Sequence, residues 1–246
     1  MKDNFSTQSD LYAAFRPTYP DELYNFLLSL IDTKHVAWDC GTGNGQVARA
    51  LSKYFDKVYA TDISEQQITH AFKSDNIFYS LSPAEKTSFA NDRFDLIKVA
   101  QAIHWFDLNA FYSEVKRTIK PGSVLALIGY SLFKMNPEID KIINHFYNDI
   151  IHAYWDKERG YIDENYTTIP FPFNEIKSPQ LCIQFEWTLE QLVGYLTTWS
   201  AVQHYIKANN SNPIDSIYPE LVKLFTANKK QPGYFPVLLR TAIIEK

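Results

Sequence analysis

The chain has 246 residues, of which 46% are hydrophobic and 21% charged, so it can bury a substantial core as one domain, with or without an added subdomain. A net charge of −4 without a run of Lys or Arg argues against nucleic acid as a partner. No apolar leader or membrane-spanning stretch is predicted, and Cys40 and Cys182 form neither a disulfide framework nor a metal motif. We therefore expect a cytoplasmic protein, a monomer or a dimer, without membrane partners.

The first predicted element is an amphipathic helix over residues 20–31, where apolar side chains recur at helical spacing after two acids. Short apolar runs then predict strands, which lie at residues 35–40, 57–63, 95–103 and 123–130. Helical patterns separate some of these runs, at residues 45–55 and 108–120. This alternation predicts an α/β protein with a doubly wound, mostly parallel sheet covered on both faces.

The pattern changes after Tyr130. Helices are predicted at 137–155 and 189–205, with a proline-rich segment at 167–180 between them and a terminal strand at 236–246. Because the sheet pattern resumes in the later part of the chain, we interpret residues 131–180 as a helical lid inserted into a single domain of residues 1–246.

Three glycines stand at alternate positions between the first predicted strand and the next helix, in DCGTGNG: Gly41, Gly43 and Gly45. The segment lacks the lysine of a phosphate-binding P-loop, and Gln46 stands where a dinucleotide fingerprint needs its third glycine. Glycine tolerates positive φ and lets a ligand approach the backbone closely. The segment therefore predicts a ligand-binding turn, with a simple tight connection as the alternative.

Two acids end the strands on either side of this turn. Asp39 ends the first strand, and Asp62 ends the next, at the place where the ribose-binding acid of such folds occurs. An adenosine ligand that carries an amino-acid group would suit both carboxylates. Alternatively, Asp62 and Ser64 belong to a helix cap.

The chain resembles the class I S-adenosylmethionine-dependent methyltransferases over nearly its whole length. DCGTGNG is similar to their first motif, ATDIS to their second-strand acid, and SPAEKTSFANDRFDLIKVAQAIHWF to their adenine-side loop and fourth strand. YAAFRPTYP together with AQAIHWF resembles the branch of trans-aconitate methyltransferase-like proteins. The resemblance implies a Rossmann-like, seven-stranded sheet, S-adenosyl-L-methionine as cofactor and S-adenosyl-L-homocysteine as product.

The resemblance also implies which residues contact the cofactor. They are Arg16, Asp39, Gly41, Gly43, Asp62, Ile63, Ala84 and Gln101. Many relatives carry an Asp that accepts the adenine amino group, but Pro83 stands at that position here. Adenine recognition then depends on backbone groups near Ala84 and on Glu85.

The N-terminal segment, residues 1–20, is expected by resemblance to close over the cofactor, and it carries the candidate substrate residues Tyr12 and Tyr19. Arg16 would pair bidentately with a carboxylate. That carboxylate belongs either to the cofactor or to an acidic substrate. A surface arginine stacked on tyrosines is the alternative.

Aromatic and histidine side chains supply the other candidates. His104 follows the fourth strand and is the predicted catalytic residue, as a base for a hydroxyl or amine, with a structural histidine as the alternative. Trp105 and Trp199 are predicted to line the substrate pocket, with packing in the core as the alternative. His145 and His152 lie two helical turns apart, but no further ligand completes a metal site, so no metal is predicted.

These observations predict methyl transfer to a small molecule. An ionised carboxylate needs no base at neutral pH, so O-methylation of a carboxylic acid is the specific expectation. The alternative is a protein of the same fold that binds the cofactor or a nucleotide without transferring a methyl group.

Overall fold

One mixed sheet organises residues 17–226 and 228–246, which are the residues that the computed structural model describes. Its strands are β1 (Val36–Cys40), β2 (Lys57–Asp62), β3 (Ile77–Leu81), β4 (Phe94–Ala100), β5 (Ile119–Tyr130), β6 (Glu175–Ile176), β7 (Cys182–Trp187) and β8 (Gln231–Ile244). They follow the order β3-β2-β1-β4-β5-β8-β6, and β7 pairs with β8 beside that path. The predicted α/β, doubly wound architecture is confirmed, with eight strands rather than seven.

Strand β8 begins earlier than the predicted terminal strand at 236–246, and this early part gives β7 a strand to pair with. Its second half pairs antiparallel with β5, while its first half, Gln231 to Pro236, pairs antiparallel with β7. Pro232, Gly233 and Pro236 fall in that first half, and such residues are typical of turns. The short strand β6 also pairs antiparallel with β8, whereas β1 with β2 and β4, β2 with β3, and β4 with β5 are parallel.

The helices cover the sheet and extend beyond its carboxyl edge. They are α1 (Asp21–Ser29), α2 (Gln46–Leu51), α3 (Glu65–Thr69), α4 (Leu108–Thr118), α5 (Pro137–His145), α6 (Gly160–Asp163), α7 (Leu189–Thr197), α8 (Ser200–Asn209) and α9 (Tyr218–Leu224). Short turns of 3₁₀ helix occur at Ile103–Trp105, His152–Tyr154, Lys157–Arg159 and Pro213–Ser216. None of the helices in the described ranges is long and apolar enough to cross a membrane.

Three predicted elements are interrupted by a change of backbone conformation. The helix expected at 137–155 ends at His145 and passes into a π-helical turn, in which the Ile151 amide donates to the Phe146 carbonyl. The helix expected at 189–205 breaks at Trp199, whose backbone is extended. The strand expected at 95–103 ends at Ala100, because Gln101 adopts a φ of +52°. Each break creates a bend that brings side chains toward the same end of the sheet.

Apolar layers lie on both faces of the sheet. Leu23 and Leu27 of α1 belong to one layer, and Trp38, Phe94 and Phe111 belong to the other. Every residue of β4 is buried, as expected for a central parallel strand with helices on both sides. Burying one such large side chain contributes about 1.5–3 kcal/mol, so this core holds the carboxyl ends of β1 and β4 in a fixed relation.

Candidate active site

The glycine turn after β1 has a left-handed backbone conformation that leaves little room for side chains at its glycine positions. Gly41, Gly43 and Gly45 have φ angles of +66°, +56° and +78°, which L-residues with a side chain rarely adopt. A Cβ atom on Gly41 would lie 2.7 Å from the Cβ of Ala102. A Cβ on Gly45 would collide with the hydroxyl of Tyr79. Glycine is therefore required by both conformation and space at Gly41 and Gly45, and by conformation at Gly43.

Asp62 connects the end of β2 to this turn. One carboxylate oxygen accepts the Gly43 amide at 2.8 Å, and the other accepts the Ser64 amide at 3.0 Å. The Ser64 hydroxyl accepts the Gln67 amide at 3.3 Å and caps α3. The two alternatives for this segment therefore coexist: Ser64 is a cap, while the half-buried Asp62 retains acceptor capacity for ligand hydroxyls.

Asp39 lies beneath the glycine turn and is fully buried. Its carboxylate forms an ion pair with the ammonium group of Lys98, on the adjacent strand β4, and accepts the Thr42 hydroxyl at 2.7 Å. Both carboxylate oxygens thus already have partners within the protein. Direct contact between Asp39 and the cofactor stays a prediction. Sequence reasoning missed Lys98, although it is the one charged residue between two apolar pairs in LIKVA.

The end of β4 carries the predicted Gln101 and His104. The positive φ of Gln101 is uncommon for a residue with a side chain and often marks a functional site. Its amide donates to the Ile128 carbonyl at 2.9 Å, and its side-chain amide donates to the Tyr130 carbonyl at 3.1 Å. One turn of 3₁₀ helix follows, with His104 buried and Trp105 half-buried.

The expected adenine-side residues lie beyond β2 and β3. Ala84 is buried and Ile63 is half-buried, whereas Pro83 is exposed. The Glu85 carboxylate accepts the Asp107 amide at 3.0 Å. Glu85 therefore already supports the turn that precedes α4.

A cavity of about 90 Å³ lies beside His104. Gln101, His104 and Trp105 line it from the end of β4, and Trp199 lines it from the bend between α7 and α8. The structure thus brings four predicted site residues together. Two others, Tyr12 and Arg16, lie outside the described residues. Tyr19 is buried, with its ring centroid 6.2 Å from that of Tyr130.

Sequence reasoning missed a cation that lines this cavity, Arg159. Its Nε donates to the Tyr147 hydroxyl at 2.7 Å, and that hydroxyl donates to Asp163 at 2.6 Å. Burial, together with Asp163, raises the pKa of Tyr147 above its ordinary value despite the opposing charge of Arg159. Tyr147 therefore remains protonated and able to donate. The surrounding sequence, KERGYID, resembles a solvated helix turn and gives no signal of this arrangement.

Comparisons with known proteins agree with this geometry. Residues 38–127 match the family described as "Methyltransferase domain". A Dictyostelium discoideum protein named as a methyltransferase is 38% identical over 227 residues, covering 91% of this chain and 86% of its own length. A solved structure from Anaeromyxobacter dehalogenans, described as a type II methyltransferase, has a TM-score of 0.88 and 34% identity, covering 94% of this chain and 99% of that one.

The chain belongs to the S-adenosylmethionine-dependent methyltransferases. An S-adenosylmethionine-dependent methyltransferase of Saccharomyces cerevisiae is 24% identical over 246 residues, covering 85% of this chain and 84% of its own. The cofactor prediction is confirmed, and the methyltransferase uses S-adenosylmethionine. Its residues fit such a ligand: a turn with glycine at three alternate positions stands at the end of β1, and an acceptor carboxylate, Asp62, stands at the end of β2.

Proposed function

We propose that this methyltransferase transfers the methyl group of S-adenosylmethionine to a carboxylate oxygen of a small organic acid in the cavity beside His104. The cavity's position carries the proposal. It lies at the carboxyl edge of β4, where ligands bind in open α/β sheets, and Ala102, between the lining residues Gln101 and His104, stands next to Gly41 of the glycine turn. Its volume of about 90 Å³ suits a small group, and Arg159 makes part of its wall positive.

The mechanism that we infer depends on positioning. The cofactor, when bound, supplies a methyl group already activated by the sulfonium. Gly41, Gly43 and Asp62 would hold it, with Ile63, Ala84 and Gln101 beside the nucleoside. An acid acceptor is already ionised at neutral pH, so holding the acceptor in line with the methyl group supplies the rate advantage. His104 would then orient the acceptor, whereas a hydroxyl or amine acceptor would need it as a base.

The surrounding segments complete the proposal. Residues 131–180 include α5, α6 and Arg159, and we propose that they act as a lid over the acceptor. The N-terminal residues 1–20, with Tyr12, Arg16 and Tyr19, would close over the cofactor. The motifs YAAFRPTYP and AQAIHWF support assignment to the trans-aconitate methyltransferase-like branch and a small-molecule acceptor in the cytoplasm.

The test is a methyl-transfer assay with labelled S-adenosylmethionine and a panel of small acids, phenols and amines. We expect base-labile methyl esters of one or more acids. His104→Ala should retain at least part of that activity, because no proton has to be removed from a carboxylate. Turnover of phenols or amines alone, abolished by His104→Ala, would contradict carboxylate methylation. Cofactor binding without turnover of any acceptor would favour a binding protein of this fold.

A further inference from the structure

We propose that Arg159 recognises a carboxylate group of the acceptor molecule that is distinct from the atom that receives the methyl group. The inference rests on the proposed role of the cavity as the acceptor site. It defines a class of substrate: small molecules that carry an anionic handle beside the reacting atom, whether that atom is oxygen, nitrogen or carbon.

Arg159 is held in one orientation by aromatic side chains. Its guanidinium carbon lies 4.8 Å from the ring centroid of Trp155 and 5.4 Å from that of Tyr147. Its Nε is fixed by the hydrogen bond to Tyr147, and only 21% of the side chain is exposed. Little rotamer entropy therefore remains to be lost when a ligand binds.

The terminal nitrogens of Arg159 are available. Arginine has five N–H donors, and Nε uses one of them. Asp163, the carboxylate nearest to Arg159, lies 3.5 Å from that same Nε. Within residues 17–226 and 228–246, Nη1 and Nη2 form no hydrogen bond, and Nε alone is engaged. Two parallel Nη–H donors match the two oxygens of a carboxylate.

Among the charged side chains of the described residues that line the cavity, Arg159 is the one suited to bind a carboxylate. Asp156, which also lines the cavity, already has an interaction partner. The indole N–H of Trp155 is buried and, among the described residues, has no acceptor. A cation between aromatic rings attracts an anionic ligand and repels an ammonium group, because charges interact strongly away from water.

The handle and the reacting atom must differ. Methyl transfer forms a bond between methyl carbon and acceptor atom and breaks the bond between methyl carbon and sulfur, and Arg159 exchanges no proton. A reacting carboxylate loses its negative charge in this step. An arginine paired with it would stabilise the substrate more than the transition state and slow the transfer. Paired with a second group, Arg159 stabilises both states and fixes the orientation.

The binding test uses calorimetry on the full chain saturated with S-adenosylhomocysteine. Benzoate is the anionic probe, and benzamide is its neutral isostere. We expect benzoate to bind more tightly, and Arg159→Gln to weaken benzoate roughly tenfold or more while leaving benzamide unchanged. Arg159→Lys should restore part of the affinity. Equal binding of the two probes, no binding of benzoate to the unmodified chain, or an unaffected Arg159→Gln variant would overturn the proposal.

Arg93→Gln is the matched control. Arg93 also stacks on an aromatic ring, with its guanidinium carbon 4.3 Å from the Tyr59 centroid, but it precedes β4 at the opposite edge of the sheet. This variant should bind benzoate like the unmodified chain. S-adenosylhomocysteine affinity and thermal unfolding, measured on each variant, show whether Arg159→Gln remains folded. If Arg159→Gln does not fold, the test depends on Arg159→Lys, which preserves the positive charge but loses the paired donors of the guanidinium group. Benzoate should then bind to Arg159→Lys more weakly than to the unmodified chain, and equal binding would contradict the proposal.

Activity supplies an independent readout. Among accepted substrates, those with a second carboxylate should lose kcat/KM in Arg159→Gln, while esters that block that carboxylate should be equally poor with both enzymes. The two proposals can fail separately. Benzoate binding that depends on Arg159, without any methyl transfer, would refute only the proposed function. Methyl transfer to acids with the same kcat/KM in Arg159→Gln and in the unmodified enzyme would refute only this inference.

Discussion

Gly41 shows how a single missing side chain shapes the site, and Gly41→Ala tests it. The variant forces a methyl group into a backbone with φ of +66° and to 2.7 Å from the Ala102 Cβ. We expect a stability loss that exceeds the roughly 1–2 kcal/mol of positive φ alone, together with weaker binding of S-adenosylhomocysteine. Urea unfolding and calorimetry measure the two effects.

Gly122→Ala separates conformation from space. Gly122 has a φ of +76°, but a Cβ there would meet nothing within 4 Å among the described residues. It should lose stability through conformation only and bind S-adenosylhomocysteine normally. Equal losses of stability in both variants would show that the contact with Ala102 is unimportant.

Asp62 is the second position where one side chain has two roles. Asp62→Ala removes the acceptor for the Gly43 amide as well as the proposed acceptor for the ribose, so we expect cofactor binding to weaken by about 1–3 kcal/mol. Calorimetry with S-adenosylhomocysteine is the measurement. Asp56→Ala is the control, because Asp56 is exposed and immediately precedes β2. A folded Asp62→Ala variant with unchanged affinity would place the ribose elsewhere.

Some of these residues were predictable and others were not. Gly41, Gly43 and Asp62 stand out because glycines and an acid at strand ends are rare and local patterns. Lys98 and Arg159 carry no such pattern. The partner of Lys98 lies 59 residues earlier in the chain, and the environment of Arg159 depends on the irregular turns after α5 that bring Tyr147 and Trp155 beside it. Contacts of this kind follow from tertiary packing, which local spacing does not encode.

Strands β1 and β4 share a buried ion pair, and Lys98→Met tests its contribution at the level of these elements. The variant leaves the Asp39 carboxylate buried, with Thr42 as its remaining side-chain donor. An uncompensated buried charge costs about 3–5 kcal/mol, so a large fall in the free energy of unfolding is expected in urea.

Lys120→Met provides the comparison. Lys120 pairs with Asp95 at 2.6 Å but is one-third exposed, and Asp95 also accepts from Thr33, His35 and Val36. The loss should therefore be smaller. A cost for Lys98→Met that does not exceed that of Lys120→Met would show that the buried pair contributes little.

At the same scale, prediction worked for elements with strong periodicity and failed for elements set by context. The strands β1 and β2 and the helix α1 lie within the predicted ranges, whereas β5 begins at Ile119, before its predicted start at residue 123. Strand β3 was not predicted, because Ser80 interrupts its apolar run and most of its residues are not buried, so that no hydrophobic pattern marks it. The bends at His145 and Trp199 also escaped, because the helical periodicity continues through both.

The whole molecule should lose stability in acid, and Asp95 is one cause. Burial alone would raise the pKa of Asp95, but hydrogen bonds from Lys120, Val36 and Thr33 outweigh burial and hold the pKa below its ordinary value. A lowered folded-state pKa stabilises the protein above the unfolded value, near pH 3.9, and this contribution disappears as pH falls through the folded value.

Urea unfolding at a series of pH values measures this effect. The free energy of unfolding should decline below about pH 4. Asp95→Asn should be less stable than the unmodified chain at neutral pH and should show a shallower decline in acid. Parallel profiles for the two proteins would remove Asp95 as a contributor.

The closeness of Gly41 and Ala102 also has a consequence for how the two proposed sites are related. Ala102 stands two residues before His104, and its Cβ lies 2.7 Å from the point that a Cβ on Gly41 would occupy. The glycine turn and the segment that leads to the cavity are therefore neighbours. If the cofactor binds at the turn and the acceptor in the cavity, as proposed, a shift of either segment on binding would reach the other. Any resulting change in affinity would be the same in both directions, because linkage is reciprocal.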